Sequence, residues 1–222
     1  MQLRGESDTT PSGTHQEASY LSSLRTGTMG SGSAASPRAP RDAELRSESE
    51  THMDYATFAQ GTFVNMLGTL DRLAAAAEEA GIGEEALSLR LADDMFPLEL
   101  QFRVAMNQVL LALGQVGNMA PPLDADSYTS FAQIRERIAA IAATLAAADP
   151  ATWASPEDTV DLTLPNGVRF VMSAAEDIRD WILPNFYFHV TMAYALLRRE
   201  GVTLGKMDFV AHMACHRIEC EP

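Results

Sequence analysis

The sequence predicts an all-α protein: an up-and-down four-helix bundle with a small β-hairpin before its last helix and a disordered N-terminal arm. Three observations lead there. Four long segments after Asp54 repeat apolar residues at three- and four-residue spacing, the period of a helix buried along one face. Strict apolar/polar alternation occurs in one short stretch only, between Val160 and Met172. With 46% apolar and 21% charged residues in 222, the chain can bury one core.

The arm, residues 1–52, is rich in Ser, Thr, Gly and Pro, as from Gly30 to Pro37, and has no apolar period. An over-extended start is the alternative to a functional arm. The bundle domain follows over residues 53–210, and residues 211–222 read as a flexible tail. Helix one is expected from Tyr55 to Ala80, with Phe63, Leu67, Leu70, Ala74 and Ala77 inward and Gly81 as its stop. A short connecting helix spans about Glu84 to Leu91. Helix two is expected to open at Pro97, since a first-turn N–H has no intrahelical partner and proline costs nothing there; Asp93 and Asp94 lie at its positive end. Its buried stripe is Leu98, Phe102, Ala105, Val109 and Leu113. Helix three carries the narrow seam Phe131, Ile134, Ile138, Ile141 and Leu145. In the hairpin, Val160, Leu162 and Leu164 alternate up to a tight turn at Asn166-Gly167, and Val168, Phe170 and Met172 resume beyond it. Ser173 with Glu176 makes a capping box for the last helix, which ends at Gly201 after Arg198 and Arg199.

Composition excludes several classes of function. The net charge of −14, with one lysine (Lys206) among the basic residues, is wrong for tracking phosphates, so nucleic acid is not an expected partner. No apolar run reaches the roughly 20 residues of a membrane span. Cys215 and Cys220 both lie in the last eight residues and cannot staple the fold; without a signal-peptide core near Met1, the expected compartment is the cytoplasm. No nucleophile elbow, phosphate-binding glycine loop or paired-carboxylate motif is present.

The chemistry concentrates in the last helix. In Pro184-Asn185-Phe186-Tyr187-Phe188-His189, the only histidine between Met53 and Gly201 stands amid aromatic residues. Together with Asp94-Met95-Phe96-Pro97-Leu98 and with Leu197-Arg198 eight positions after His189, this stretch resembles an uncharacterised branch of the DinB/YfiT-like four-helix proteins. The resemblance implies a metal site of three histidines, two of them four residues apart in the last helix and one from helix two. It aligns His189 with the second of the pair, Asn185 with the first, and Gln101 with the helix-two ligand. Counting rules out that site as such. One histidine and no cysteine leave two amides where a divalent metal wants imidazole, thiolate or carboxylate. Asp94, Glu99 and Asp180 are available carboxylates, each explained more simply as a cap or a solvated residue.

His189 is thus either a buried polar node, bonded to Asn185, Gln101 or a tyrosine, or a metal ligand or proton shuttle. Trp181, Asn185, Phe188, His189, Met192 and Leu196 share a face by helical spacing, and Tyr187 and Tyr194 could line a small-molecule pocket. Pro184 is expected to deny a hydrogen bond to the Asp180 carbonyl and to kink the helix one turn before His189. In the tail, His212, Cys215, His216 and Cys220 could take up metal adventitiously. The expected function is a small-molecule-binding or non-catalytic homodimeric bundle built around His189. The alternatives are a metal- or thiol-dependent enzyme of the resembled kind and an interaction protein with an acidic surface.

Overall fold

The computed structural model describes residues 54–164 and 167–218. The expected arm, Asn166 of the hairpin turn and Cys220 lie outside them.

Helix α1 (Tyr55–Glu79) opens where the Asp54 carboxylate accepts the Thr57 N–H at 2.8 Å, which satisfies one of the four N–H groups that a helix start leaves orphaned. The expected inward residues are buried, and Phe63 meets Phe186 edge to face at 5.5 Å. Gly81 follows at φ 69°, a left-handed conformation that a residue with a Cβ adopts only under strain. A 3-10 turn (Glu84–Ser88) leads to α2 (Leu98–Gln115), which Pro97 caps rather than joins. Helix α3 (Phe131–Ala147) begins at Ser130, whose hydroxyl accepts from the Gln133 N–H, and buries the five-residue seam read from its spacing.

α1 packs against α3 and the last helix, and α2 packs against the same two. The four close around one core. Within it α2 is buried on every side from Leu98 to Leu113, polar residues included, so the stripe expected there is only one part of its contact surface.

Strands β1 (Thr159–Thr163) and β2 (Arg169–Ser173) pair antiparallel, with Val160 opposite Met172 and Leu162 opposite Phe170. Val160 and Leu162 are buried; Val168 and Phe170 are not. Instead of entering the core, Phe170 lies against Trp181, with ring centroids 5.3 Å apart. Ser173 and Glu176 form the expected capping box: the Glu176 N–H donates to the Ser173 hydroxyl at 3.3 Å, and the Ser173 N–H to Glu176 Oε2 at 2.9 Å.

The chain beyond this box is less regular than a single helix. One α turn (Ala174–Glu176) widens into a π turn (Asp177–Ile182), in which the Leu183 N–H reaches back five residues to the Ile178 carbonyl, before α4 (Leu183–Arg199) begins. The wide turn comes just before Pro184, which cannot donate to the ladder. A turn of this kind also changes the helical phase, so Trp181 does not sit where a continuous α-helix would put it relative to His189.

Residues expected as a flexible tail begin with structure. After α5 (Lys206–Phe209), residues Ala211–His216 form a 3-10 helix, and both lie on α1. The Thr69 hydroxyl donates to the Phe209 carbonyl at 2.9 Å, and Tyr194 meets Phe209 edge to face. Among the described residues, no helix is long and apolar enough to cross a membrane.

Candidate functional site

His189 is buried, 5% exposed, on the face of α4 turned towards α2. Its Nδ1 lies 2.8 Å from Gln101 Oε1. Gln101 is held in turn: its Nε2 donates to the Phe96 carbonyl at 2.9 Å, so the amide can present only its oxygen to the ring. Nδ1 must then carry the proton. Burial pushes the imidazole down from 6.5 to about 4, because the charged form is poorly solvated there, and the neutral ring has Nε2 as its bare, hydrogen-bond-accepting nitrogen. Phe96 stacks on the ring at 6.1 Å, nearly parallel, and Phe188 meets it edge-on at 5.2 Å. The ring's tautomer and orientation are thus set by its protein neighbours.

The other residues singled out from sequence divide. Gln101 joins His189, but Asn185 turns away: its Nδ2 donates to the Trp181 carbonyl at 2.7 Å, in the region where Pro184 removes a backbone donor. Tyr187 is 40% exposed and leans on Phe186, outside the node. Trp181 lies under Phe170 at the hairpin. Glu99, expected as a solvated or capping residue, is buried beside Arg103, and Asp180 pairs at the surface with Arg179.

A divalent metal fits this arrangement poorly. Gln101 spends its oxygen on His189, Asn185 is turned from the ring by the bond of its Nδ2 to the Trp181 carbonyl, and His189 offers a single imidazole nitrogen. Among the described residues, no three of His, Cys, Asp and Glu gather into a ligand set; in the tail, the Cys215 thiol contacts the His212 carbonyl.

Two buried polar groups were not anticipated from the sequence. Glu99 and Arg103 form a bidentate pair (Nε–Oε1 2.8 Å, Nη2–Oε2 3.1 Å), from which Arg103 also donates to the Ala125 carbonyl and Glu99 accepts the Tyr128 N–H. Asn107 likewise exchanges two hydrogen bonds with the Asp124 backbone. Together they fasten the segment between α2 and α3. The second group is Asp177, fully buried in the π turn, with no hydrogen-bond partner for either carboxyl oxygen. Burial pushes it up from 3.8 to about 7. One signal was available: Asp177 stands three after Ala174 and one before Ile178, both inward, so helical spacing already put a carboxylate on the apolar face.

Residues 55–210 match the family described as Domain of unknown function (DUF1993). Among solved structures, the chain is similar to the crystal structure of a DinB family member protein from Shewanella denitrificans, with a TM-score of 0.60 and 28% identity over 70% of this chain and 90% of that one. No curated protein matches.

Proposed function

The chain belongs to the DUF1993 family, a domain of unknown function with a DinB-like fold, and we propose that it is a non-catalytic, small-molecule-binding bundle that presents His189 to its ligand as a fixed hydrogen-bond acceptor. The observation that carries this reading is the Gln101–His189 bond. Anchored through Phe96, it holds a neutral imidazole with Nε2 bare between two aromatic rings. A rigid acceptor of this kind favours a planar N–H or O–H donor ligand, because the orientational cost of binding is already met in the free protein.

Metal chemistry is the reading this displaces. Protein purified without a tag and without added metal is expected to hold well under one equivalent of zinc, nickel or iron. In nitrogen NMR, His189 is expected to show the neutral tautomer protonated at Nδ1 at pH 6. One equivalent of metal that disappears in His189→Ala would overturn the proposal. So would a ring that titrates near 6.5.

Replacing His189 with Ala should cost about 1 to 3 kcal/mol at pH 7, through the cavity and the orphaned Gln101 oxygen; Gln, which keeps a donor, should recover part of that. Urea melts of the two variants check the order, and equal losses would count against a hydrogen-bonded node.

A homodimer belongs to the same proposal. Phe58 and Val64 on α1 and Tyr187 on α4 are exposed apolar residues on two helices that pack together, a surface suited to a two-fold contact. Sedimentation at micromolar concentration is expected to show a dimer, and a strict monomer would refute it.

A further inference from the structure

Beneath the hairpin, away from the His189 node, lies a group of buried polar atoms that the proposed binding site does not use. Asp177 has no exposed surface and no partner for either oxygen. Trp181, four residues on in the same π turn, has a buried indole N–H that is also unpartnered, as has Trp153. In a turn this wide, residues four apart stand on nearly the same side, so the carboxyl and the Trp181 indole share a face. Native proteins leave few such atoms unsatisfied, and π turns recur at sites that move or bind.

The hairpin is mechanically tied to this group. Phe170 of β2 rests on the Trp181 ring, Ser173 at the end of β2 caps the α turn that runs directly into the π turn holding Asp177, and the Ala174 N–H donates to the Asp158 carbonyl ahead of β1. Ala174, Ile178 and Ile182 bury one side of the turn, Arg179 and Asp180 lie on its exposed side, and Phe170 and Val171 of the hairpin face solvent.

Among the described residues, no cation faces the carboxyl. From α1 come Asp54 and Tyr55, and from the segment before β1 Asp158; the Tyr55 hydroxyl, pushed up to about 12 by burial first and then by Asp158, Asp54 and Asp177, registers a wholly negative neighbourhood. Helix α2 brings only Glu99 and Arg103, which are paired with each other. Helix α4 brings Tyr187, His189, Tyr194 and, at its end, Arg198 and Arg199. On the turn itself Arg179 pairs with Asp180 at the surface, and Glu176 is spent in the capping box.

We propose that Asp177 is a proton-operated latch for the β-hairpin: the neutral acid tolerates the dry site and keeps Phe170 seated on Trp181, and loss of the proton lifts the hairpin to let water reach the carboxylate. The upward push of this carboxyl, to about 7, places the change near neutral pH, closed on the acid side and open on the alkaline side. The latch does not depend on the role of His189.

The test is hydrogen exchange of the β1 and β2 amides in the full chain at pH 5.5 and 8.5, corrected for the intrinsic rates, with fluorescence of the protein's two tryptophans, Trp153 and Trp181, followed across the same range. Hairpin protection is expected to fall roughly tenfold at the higher pH, as the ionised fraction rises. The fluorescence should change with a midpoint near 7, and both responses should vanish in Asp177→Asn. Equal protection at the two pH values would overturn the latch, as would an Asp177→Asn protein that responds like the wild type. Should that variant not fold, carbon NMR of the Asp177 carboxyl in the wild-type protein decides: a midpoint near 7 that tracks the hairpin exchange supports the latch, and titration below pH 5 refutes it.

Discussion

Glu99→Gln is expected to destabilise the protein by about 3 to 5 kcal/mol, although it removes no atom of bulk. Arg103 is 2% exposed, so without Glu99 it is a buried cation facing neutral groups. The Tyr128 N–H loses a charged acceptor at the same time, which loosens the segment between α2 and α3. Replacing both members, Glu99→Met with Arg103→Met, keeps the volume and removes both charges, so it should come much nearer to wild-type stability than either single change. Urea denaturation of the three variants tests this. A loss below about 1 kcal/mol for Glu99→Gln would mean that the pair is hydrated and the packing around it loose.

The second large effect is a pH dependence that the wild type conceals. Asp177 releases its proton near 3.8 in the unfolded chain and near 7 in the native one, so between those values the native state binds more protons, and stability falls as pH rises, by about 4 kcal/mol in all. His189 works in the opposite sense. It takes up a proton near 6.5 when unfolded and only near 4 when folded, so stability falls as pH drops through that window, by about 3 kcal/mol. From about pH 4 to 6.5 the two slopes oppose, and the wild type should be nearly flat. Asp177→Asn, a neutral isostere, should match the wild type near pH 4 and exceed it by about 2 to 4 kcal/mol at pH 8. His189→Gln should expose the reverse slope, gaining on the wild type as pH falls below 6. Thermal or urea melts at half-unit intervals would show both. A stability difference between Asp177→Asn and the wild type that does not grow with pH would remove Asp177 from the account.

Much of the fold was legible because its signals are local. The seam of α3, the Asp54 and Ser130 starts, the stop at Gly81 and the Ser173–Glu176 box each depend on residues within one or two turns, and each stands where spacing and capping chemistry put it. In α2 the same reasoning reached only part of the answer. An apolar stripe marks one buried face but says nothing of a helix surrounded on all sides, where Glu99, Gln101, Arg103 and Asn107 enter the core because each finds a partner far along the chain or one turn away. Near Pro184 the π turn changed the helical phase of Trp181 relative to His189, while Asn185, inside α4 itself, left the grouping because its side chain turns back to the Trp181 carbonyl.

The sequence by itself determined that four amphipathic helices and a hairpin would form, that a lone histidine would lie among aromatic residues in the last helix, and that three histidine ligands could not be assembled between Met53 and Gly201. These follow from composition and from periods of two and 3.6 residues. Only the tertiary structure decided that Gln101, rather than Asn185, bonds to His189, and hence which ring nitrogen is bare. It also decided that Asp177 lies buried without a partner while Asp180, three residues on, reaches water and an arginine. Such choices turn on the distance between side chains from different elements and on which of them lose their water; periodicity sets which way a residue faces, but the neighbour that it meets there is supplied by packing.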